Sequence, residues 1–324
     1  MHTAIMLRAH GGPEVLRAEP LALAAPGPGE VLLRQTAIGV NFHDCYVRSG
    51  SYRTLALPGV PGIEAAGVVE AVGPGVNGLA PGDRVAYATA GYGAYASARL
   101  LPAALALKLP DGVDDRTAAA TLVKGLTAHM LLHRVHQVRA GQVVLVQAAA
   151  GGVGRLLCQW ASALGATVIG TVGSQAKAEE ARRCGCAHTI LYREQDFVAE
   201  VKRLTGGRGV DVAYDSVGQD TFAGSLECLG LRGHLVNFGQ SSGPVAPFAP
   251  AVLAAKSNSV TRPIVFHYIA EAAERADMAA AVFAALAAGV LRPGAAESFP
   301  LAEAAAAHRA LEARATTGAV LLLP

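Results

Sequence analysis

The stretch with the clearest chemical meaning runs from Val143 to Gly154, V-V-L-V-Q-A-A-A-G-G-V-G. Val143 to Gln147 favour a short buried strand, and a tight Ala/Gly turn follows. Leu156, Leu157, Trp160, Ala161 and Leu164 then recur at helical spacing. Strand, glycine turn and helix in that order form the setting of a dinucleotide site. Ala149, Gly151 and Gly154 occupy the three glycine places of the Gly-x-Gly-x-x-Gly fingerprint. Gly151 would let a pyrophosphate approach the backbone, and Gly154 would let the helix pack on the strand. The helix N-terminus adds free N–H groups and a partial positive charge.

The sequence also speaks to the kind of dinucleotide. An enzyme that uses NAD places Asp or Glu about twenty residues further on, against the ribose hydroxyls. Here that place reads Gly170-Thr171-Val172-Gly173-Ser174, without a carboxylate. A 2′-phosphate would not be repelled by Gly173 or Ser174. Lys177 adds a cation just inside the next helix, whose free N–H groups suit an anion. Tyr192, at the end of the third predicted strand, can pack by the adenine or bond the same phosphate. The missing acid and the present base both predict NADPH.

The elements that position this turn set the architecture. At 324 residues the chain suggests two domains. Before the turn, Val31 to Arg34, Ala66 to Val72 and Arg84 to Tyr87 read as strands between Pro/Gly clusters, the pattern of a partly open barrel. Two helices are then expected, one through Ala118 to Val123 and one from about Thr127 to His136. From Gln142 the strands Val143 to Gln147, Thr167 to Val172, His188 to Tyr192, Val210 to Tyr214 and His234 to Phe238 alternate with helices. That alternation predicts a doubly wound parallel sheet with ligands at the carboxyl ends of its strands. A further strand is expected around Ser259 to Phe266. Two Ala-rich helices follow, about Ala270 to Ala288 and Leu301 to Ala313. The apolar end, Val320 to Leu323, is expected to pair back into the first domain.

Composition excludes several classes of function. Hydrophobic residues make up 52% and charged residues 16%, so the chain is globular. The net charge of +2 and the lack of a basic stripe with interleaved aromatics give no case for nucleic acid or an anionic membrane. No signal peptide is visible, and the longest apolar stretch, Met278 to Leu291, is too short to span a bilayer. Five cysteines without framework spacing point to a reducing, cytoplasmic setting. Cys184 and Cys186 read as two small residues ending a helix. No Gly-x-Ser-x-Gly stands in a strand-turn-helix setting, so a serine hydrolase is not expected.

Taken together and in order, several short segments resemble the zinc-free, zeta-crystallin-like quinone oxidoreductases of the medium-chain dehydrogenase/reductase superfamily. They are Gly11 to Leu16, Gly39 to Tyr46, Arg48 to Tyr52, Ala148 to Gly154, Gly170 to Gly173, Tyr192-Arg193, Tyr214 to Gly218, Asn237 to Gly239, Thr261 to Pro263 and Arg314 to Thr316. His43, Cys45 and Gln240 depart from the family's pattern. The resemblance implies a GroES-like, partly open β-barrel catalytic domain (1–124 and 264–324) and a Rossmann cofactor domain (125–263). It implies an active site in the cleft between them and a homodimer joined through the edge of the cofactor sheet. It also implies that Asn41, Asp44, Tyr46 and Tyr52 border the catalytic site. The cofactor would meet Asn41, Thr127, Ala150, Gly151, Gly152, Val153, Gly154, Gly173, Ser174, Lys177, Tyr192, Ser216, Val217, Phe238, Gly239, Ser241 and Arg314.

The same resemblance bears on metal. Zinc-dependent relatives carry a cysteine where this chain has Asn41 and a histidine where it has Ile63, and neither substitute can ligate zinc in the usual way. His43 and Cys45 are not expected to replace them in a segment read as strand, and His43 reads as structural. No functional metal is expected. The implied activity is hydride transfer from NADPH to quinones or related conjugated carbonyls. Reduction of activated C=C bonds by an enoyl or alkenal reductase is the alternative. A structural or RNA-binding role for a cofactor-binding protein is the distant one.

Overall fold

A computed structural model describes residues 2–324 except 314, 315 and 317. The chain divides into two compact units: residues 1–123, 269–287 and 293–324, and residues 124–268 with 288–292. The division near 268 falls five residues later than the 263/264 boundary expected from sequence.

Along the chain, unit 1 begins with a small hairpin of β1 (His2–Leu7) and β2 (Leu16–Leu21). β3 (Glu30–Val40) leads into α1 (Phe42–Ser49), and β4 (Glu64–Val72), β5 (Arg84–Ala88), β6 (Ala98–Pro102) and β7 (Leu107–Lys108) follow. α1 is the first correction. Read as strand for the metal argument, with a helix cap at Asp44 as the other reading, this segment forms two helical turns. The Asp44 carboxylate accepts the Asn41 N–H at 2.8 Å, the acidic half of a capping box, and Gly50 ends the helix at φ 84°.

α2 (Asp115–His129) comes next and continues through Met130–Val135 as a π-helical end. This is the second correction, because two separate helices were expected. Asp114 caps the start through the Thr117 N–H. Gly125 does not break the helix, because α2 is buried along this stretch and packing outweighs the roughly 1 kcal/mol that glycine costs.

Unit 2 then alternates as the sequence predicted. β8 (Val143–Val146), α3 (Gly152–Ala163), β9 (Thr167–Val172), α4 (Gln175–Arg183), β10 (His188–Leu191), α5 (Phe197–Leu204), β11 (Val210–Asp215), α6 (Phe222–Glu227), β12 (Leu229–Asn237) and β13 (Ser259–Thr261) form one doubly wound layer. The sheet order is β10-β9-β8-β11-β12-β13, all parallel. β8 lies where the winding reverses, and the crevice at such a point receives ligands. β10 stops at Leu191, so Tyr192 lies just past the strand. β13 stops at Thr261, and Pro263 turns the chain into the short α7 (Val265–Tyr268), not a strand to Phe266.

The return to unit 1 carries α8 (Ala272–Ala287), β14 (Glu297–Pro300), α9 (Ala304–Glu312) and β15 (Val320–Leu323). β15 pairs antiparallel with β3 and parallel with β14, so the apolar end does join the first sheet. That sheet runs β14-β15-β3-β4-β5-β7, with β6 also on β3. Its core gathers Leu33, Ile38, Val85, Tyr87, Tyr95, Leu101 and Leu322. Among the described residues, no helix is long and apolar enough to cross a membrane.

Candidate functional site

Unit 2 is organised around the turn after β8. Ala148 takes φ 55°, a left-handed conformation that costs a non-glycine residue about 1–2 kcal/mol. Its carbonyl is turned under the start of α3. A Cβ on Gly154 would run into that oxygen and would stand 3.0 Å from Ala149 Cα. A Cβ on Gly151 would meet the same oxygen at 3.1 Å. Glycine is therefore required at the third fingerprint position by close backbone approach. Gly151 caps the helix, and Ala150 to Gly154 form its entry, with Gly151 exposed.

A buried polar string fixes the carboxyl edge of this sheet. Thr171 on β9 donates to Gln147 Oε1 at 2.5 Å, and Gln147 Nε2 donates to Ser225 Oγ at 3.0 Å. Ser225 Oγ in turn donates to Asp215 Oδ2 at 3.0 Å. Asp215, fully buried at the end of β11, also accepts from the backbone of Val217 and Gly218 and from the Thr221 hydroxyl. These bonds shape the loop that carries Ser216 and Val217. The neighbouring loop, with Phe238, Gly239 and Ser241, is tied to it: the Ser241 N–H donates to the Ser216 carbonyl and the Ser242 N–H to that of Val217. A Cβ on Gly239 would stand 2.5 Å from the Ser216 carbonyl, so the close approach needs glycine there too.

At the end of β9, Ser174 caps α4 by accepting the Lys177 N–H at 3.4 Å, which sets Lys177 in the first turn. Tyr192 lies over Gly173: a Cβ there would be 2.7 Å from its hydroxyl. Gly173, Ser174, Lys177 and Tyr192 are thus brought to one corner. Arg193, a residue that sequence reasoning left out of the site, lies there as well, its Nε 3.5 Å from the same point. The signal was the Tyr-Arg pair directly after the third strand. This corner fits a 2′-phosphate, with a glycine floor, a helix N-terminus and two cations. Thr127 sits on α2, buried, in the part counted with unit 2. Arg314 lies outside the described residues.

Unit 1 places Asn41, Asp44 and Tyr46 on or at the cap of α1, with Tyr52 just beyond its end. Asn41 Nδ2 donates to Glu64 Oε1 at 2.8 Å, and Glu64 Oε2 accepts the Val123 N–H at 2.7 Å. Glu64 is fully buried and packs directly over Gly39, where any side chain would displace it. It holds the Asn41 amide in one orientation. Nothing in the sequence flagged Glu64 beyond its place next to Ile63. The Asp44 carboxylate is turned inward, to the α1 cap and to the Tyr95 hydroxyl at 3.2 Å.

The two unusual residues of the segment separate, because residues two apart on a helix point to different sides. Cys45 faces the interior, its Sγ 3.6 Å from His308 Nδ1. His308 Nε2 lies 2.9 Å from the Tyr95 hydroxyl, which donates on to Asp44. The consistent arrangement has Cys45 donating to a neutral His308, His308 to Tyr95 and Tyr95 to Asp44. Burial, helped by Arg48, pushes His308 down to about 3. Burial, with Glu312 and Asp44, pushes the Cys45 thiol up, so it is a poor nucleophile. Arg48 itself is buried and bonds Glu312 through both terminal guanidinium nitrogens, joining α1 to α9.

His43 points the other way, into a ring cluster. Its centroid lies 5.6 Å from Tyr52 and 5.8 Å from Tyr92, and Tyr46 lies 5.1 Å from Tyr52. Burial pushes His43 down to about 4, so it is neutral at pH 7. His43 and Tyr46 of α1, with Tyr52 just past its end, therefore form one face, with aromatic bodies and polar tips suited to a flat, oxygen-bearing molecule. Among the described residues, no group of three His, Cys, Asp or Glu side chains could hold a metal ion.

Known proteins resemble this chain along its whole length. Residues 27–111 match the alcohol dehydrogenase GroES-like domain, and residues 152–284 match the family described as zinc-binding dehydrogenase. The chain is 45% identical to a 2-haloacrylate reductase from a Burkholderia species over 331 residues, covering 100% of this chain and 99% of that one. It is also 45% identical to quinone oxidoreductase 1 of Escherichia coli over 327 residues and the full length of both. The crystal structure of Escherichia coli quinone oxidoreductase complexed with NADPH matches with a TM-score of 0.96, covering 99% of this chain and 100% of that one.

Proposed function

Because this chain belongs to the quinone oxidoreductases of the medium-chain dehydrogenase/reductase superfamily, we propose that it uses NADPH to reduce quinones and related conjugated carbonyl acceptors. The observation that carries the cofactor is the corner at the end of β9. The stretch Gly170 to Ser174 that leads into it carries no carboxylate, and the corner has a floor at Gly173, an N-cap at Ser174 and the nearby basic residues Lys177 and Arg193. The N–H groups of Ala150 to Gly154 would hold the pyrophosphate, and the loops of Ser216, Val217, Phe238, Gly239 and Ser241 would hold the nicotinamide end. Thr127 and Arg314 are assigned to the cofactor through the family resemblance.

When bound, NADPH supplies the hydride. Unit 1 supplies orientation: Asn41, held by Glu64, and the tips of Tyr46 and Tyr52 meet the acceptor oxygen and stabilise the charge that develops there. Asp44 acts through α1, by fixing the cap that aims these groups. No covalent enzyme intermediate is needed, since the only cysteine of the segment is buried and held as a thiol. A reduced quinone delocalises its charge and can take its proton from water. An enolate gains more from a placed donor.

Reduction of an activated C=C bond is favoured as a second activity by the 45% identity to a protein named for 2-haloacrylate. The test is NADPH oxidation over quinones, enones and enoyl thioesters, with NADH in parallel. Turnover of a quinone with NADPH preferred is expected. A protein that binds NADPH and reduces none of these acceptors would remove the proposal. Tyr52→Phe separates the two activities, with a greater loss on the enone than on the quinone.

The homodimer also belongs to this reading. β13 is the outer strand of the unit 2 sheet, and Leu231, Phe248, Val252 and Ile264 expose apolar side chains in segments on that side of the sequence, Leu231 at 78%. Sedimentation should give twice the chain mass, and a charge at Leu231 should weaken the dimer. All five cysteines are free and buried, which suits a reducing cytoplasm.

A further inference from the structure

His43 is the inner end of a hydrogen-bonded string that reaches the protein surface. Its Nε2 lies 3.1 Å from the Tyr92 hydroxyl, and that hydroxyl is bonded to the Thr54 hydroxyl. Tyr92 is buried, and Thr54 is exposed. The string is held deliberately in place. Tyr92 takes φ 55°, a conformation that a bulky residue adopts only when its surroundings impose it. Arg99 secures that backbone by donating to the Tyr92 carbonyl at 2.7 Å. The Tyr92 ring also stacks on the His43 ring at an interplanar angle of 23°. At its inner end His43 meets Tyr52 edge to face, so it belongs to the face assigned above to the acceptor.

We propose that Thr54, Tyr92 and His43 form a proton relay that delivers a solvent proton to the reduced acceptor. The proposal rests on the functional reading above, and it adds a proton route to it. In the starting arrangement Thr54 donates to Tyr92, Tyr92 donates to His43 Nε2, and Nδ1 carries the proton. Hydride addition to the β-carbon of an enone breaks the C=C π bond and leaves an enolate. His43 gives the Nδ1 proton to that anion as Nε2 takes the Tyr92 proton. Tyr92 takes the Thr54 proton, and Thr54 takes one from water. The sum is one hydride and one proton added across the double bond, with hydroxide released to solvent. Exchange with water restores the first tautomer before the next turnover. Burial favours neutral His43, which suits a group that passes a proton on without storing it. Quinones need the relay less, because a hydroquinone anion is protonated readily by water.

The experiment uses Tyr92→Phe, which keeps the ring stacked on His43 and removes only the linking hydroxyl. With NADPH and an enone, turnover should fall on the order of a hundredfold, the usual worth of a placed proton donor. Added imidazole buffer should restore at least tenfold of that loss in a concentration-dependent way, which a purely structural defect would not show. Thr54→Val, at the exposed end, should lower the same rate and reduce the solvent deuterium isotope effect. It is the second measurement should Tyr92→Phe fail to fold. If both folded variants turn over the enone within twofold of the parent and ignore imidazole, the relay is wrong. If the parent protein oxidises NADPH with neither quinone nor enone, the functional reading fails first and takes the relay with it.

Discussion

Acidification should destabilise unit 1 through His308, and the size of the effect follows from its surroundings. The imidazole is fully buried, with Cys45 on one nitrogen and Tyr95 on the other, and Arg48 nearby. Asp44 and Glu312 face the same cluster from α1 and α9. The two bonds of the ring need one acceptor and one donor, which only the neutral form provides. Its folded value is about 3 against 6.5 for the free group. Between those limits the unfolded chain binds the proton and the folded one does not, so stability rises with pH across that window. The full contribution is present above pH 6.5 and is lost as the pH falls, at about 1.4 kcal/mol per pH unit. At pH 5 the loss from this one group is therefore about 2 kcal/mol, and the ceiling near pH 3 is about 5 kcal/mol. His43 contributes in the same direction down to about 4, and it is unchanged by a substitution at 308. The assay is urea unfolding at pH 7, 6 and 5 for the parent and His308→Gln, with hydrogen exchange of α1 and α9 reporting unit 1 alone. The variant starts less stable at pH 7 but should lose about 2 kcal/mol less on going to pH 5. Parallel pH profiles for the two proteins would refute the reasoning.

Three further outcomes are expected. Lys177→Ala should weaken NADPH roughly ten- to a hundredfold, the loss of one charge-assisted bond of about 1.5–3 kcal/mol, and should weaken NADH little; fluorescence titration checks it, and equal weakening would put Lys177 at the pyrophosphate or in folding. Gly154→Ala should cost about 1–3 kcal/mol by overpacking and weaken NADPH, because the new methyl meets the backbone of Ala148 and Ala149, which cannot rotate away; unchanged melting and binding would contradict it. Chelator-treated protein should keep full activity with negligible bound zinc by elemental analysis, and loss of turnover restored by zinc would overturn the metal-free reading.

How far the sequence could be read depended on how far apart the cooperating residues lie. The glycine turn after β8 was legible because its geometry is local. Strand, Ala148 to Gly154 and helix are contiguous, and a backbone cradle depends on which residues lack a Cβ. The carboxylate missing from Gly170 to Ser174 was legible for the same reason. α1 was not legible. Its eight residues, F-H-D-C-Y-V-R-S, have no long apolar period, and an isolated helix of that length is marginal in water. What holds it is distant in sequence: Tyr95 on Asp44, 51 residues away, and Glu312 on Arg48, 264 residues away. Glu64, 23 residues from Asn41, was hidden likewise. The same distance rule explains why His43 read as structural. A lone histidine among apolar neighbours is ordinary, and only the fold brings Tyr92, 49 residues on, to its ring and places an exposed threonine behind that. The parts of the molecule proposed to hold the cofactor are written in short motifs, whereas the parts proposed to address the acceptor depend on tertiary pairing. On the proposed relay, substitutions at His43, Tyr92 and Thr54 should therefore change what this enzyme reduces while leaving every motif that points to its cofactor untouched.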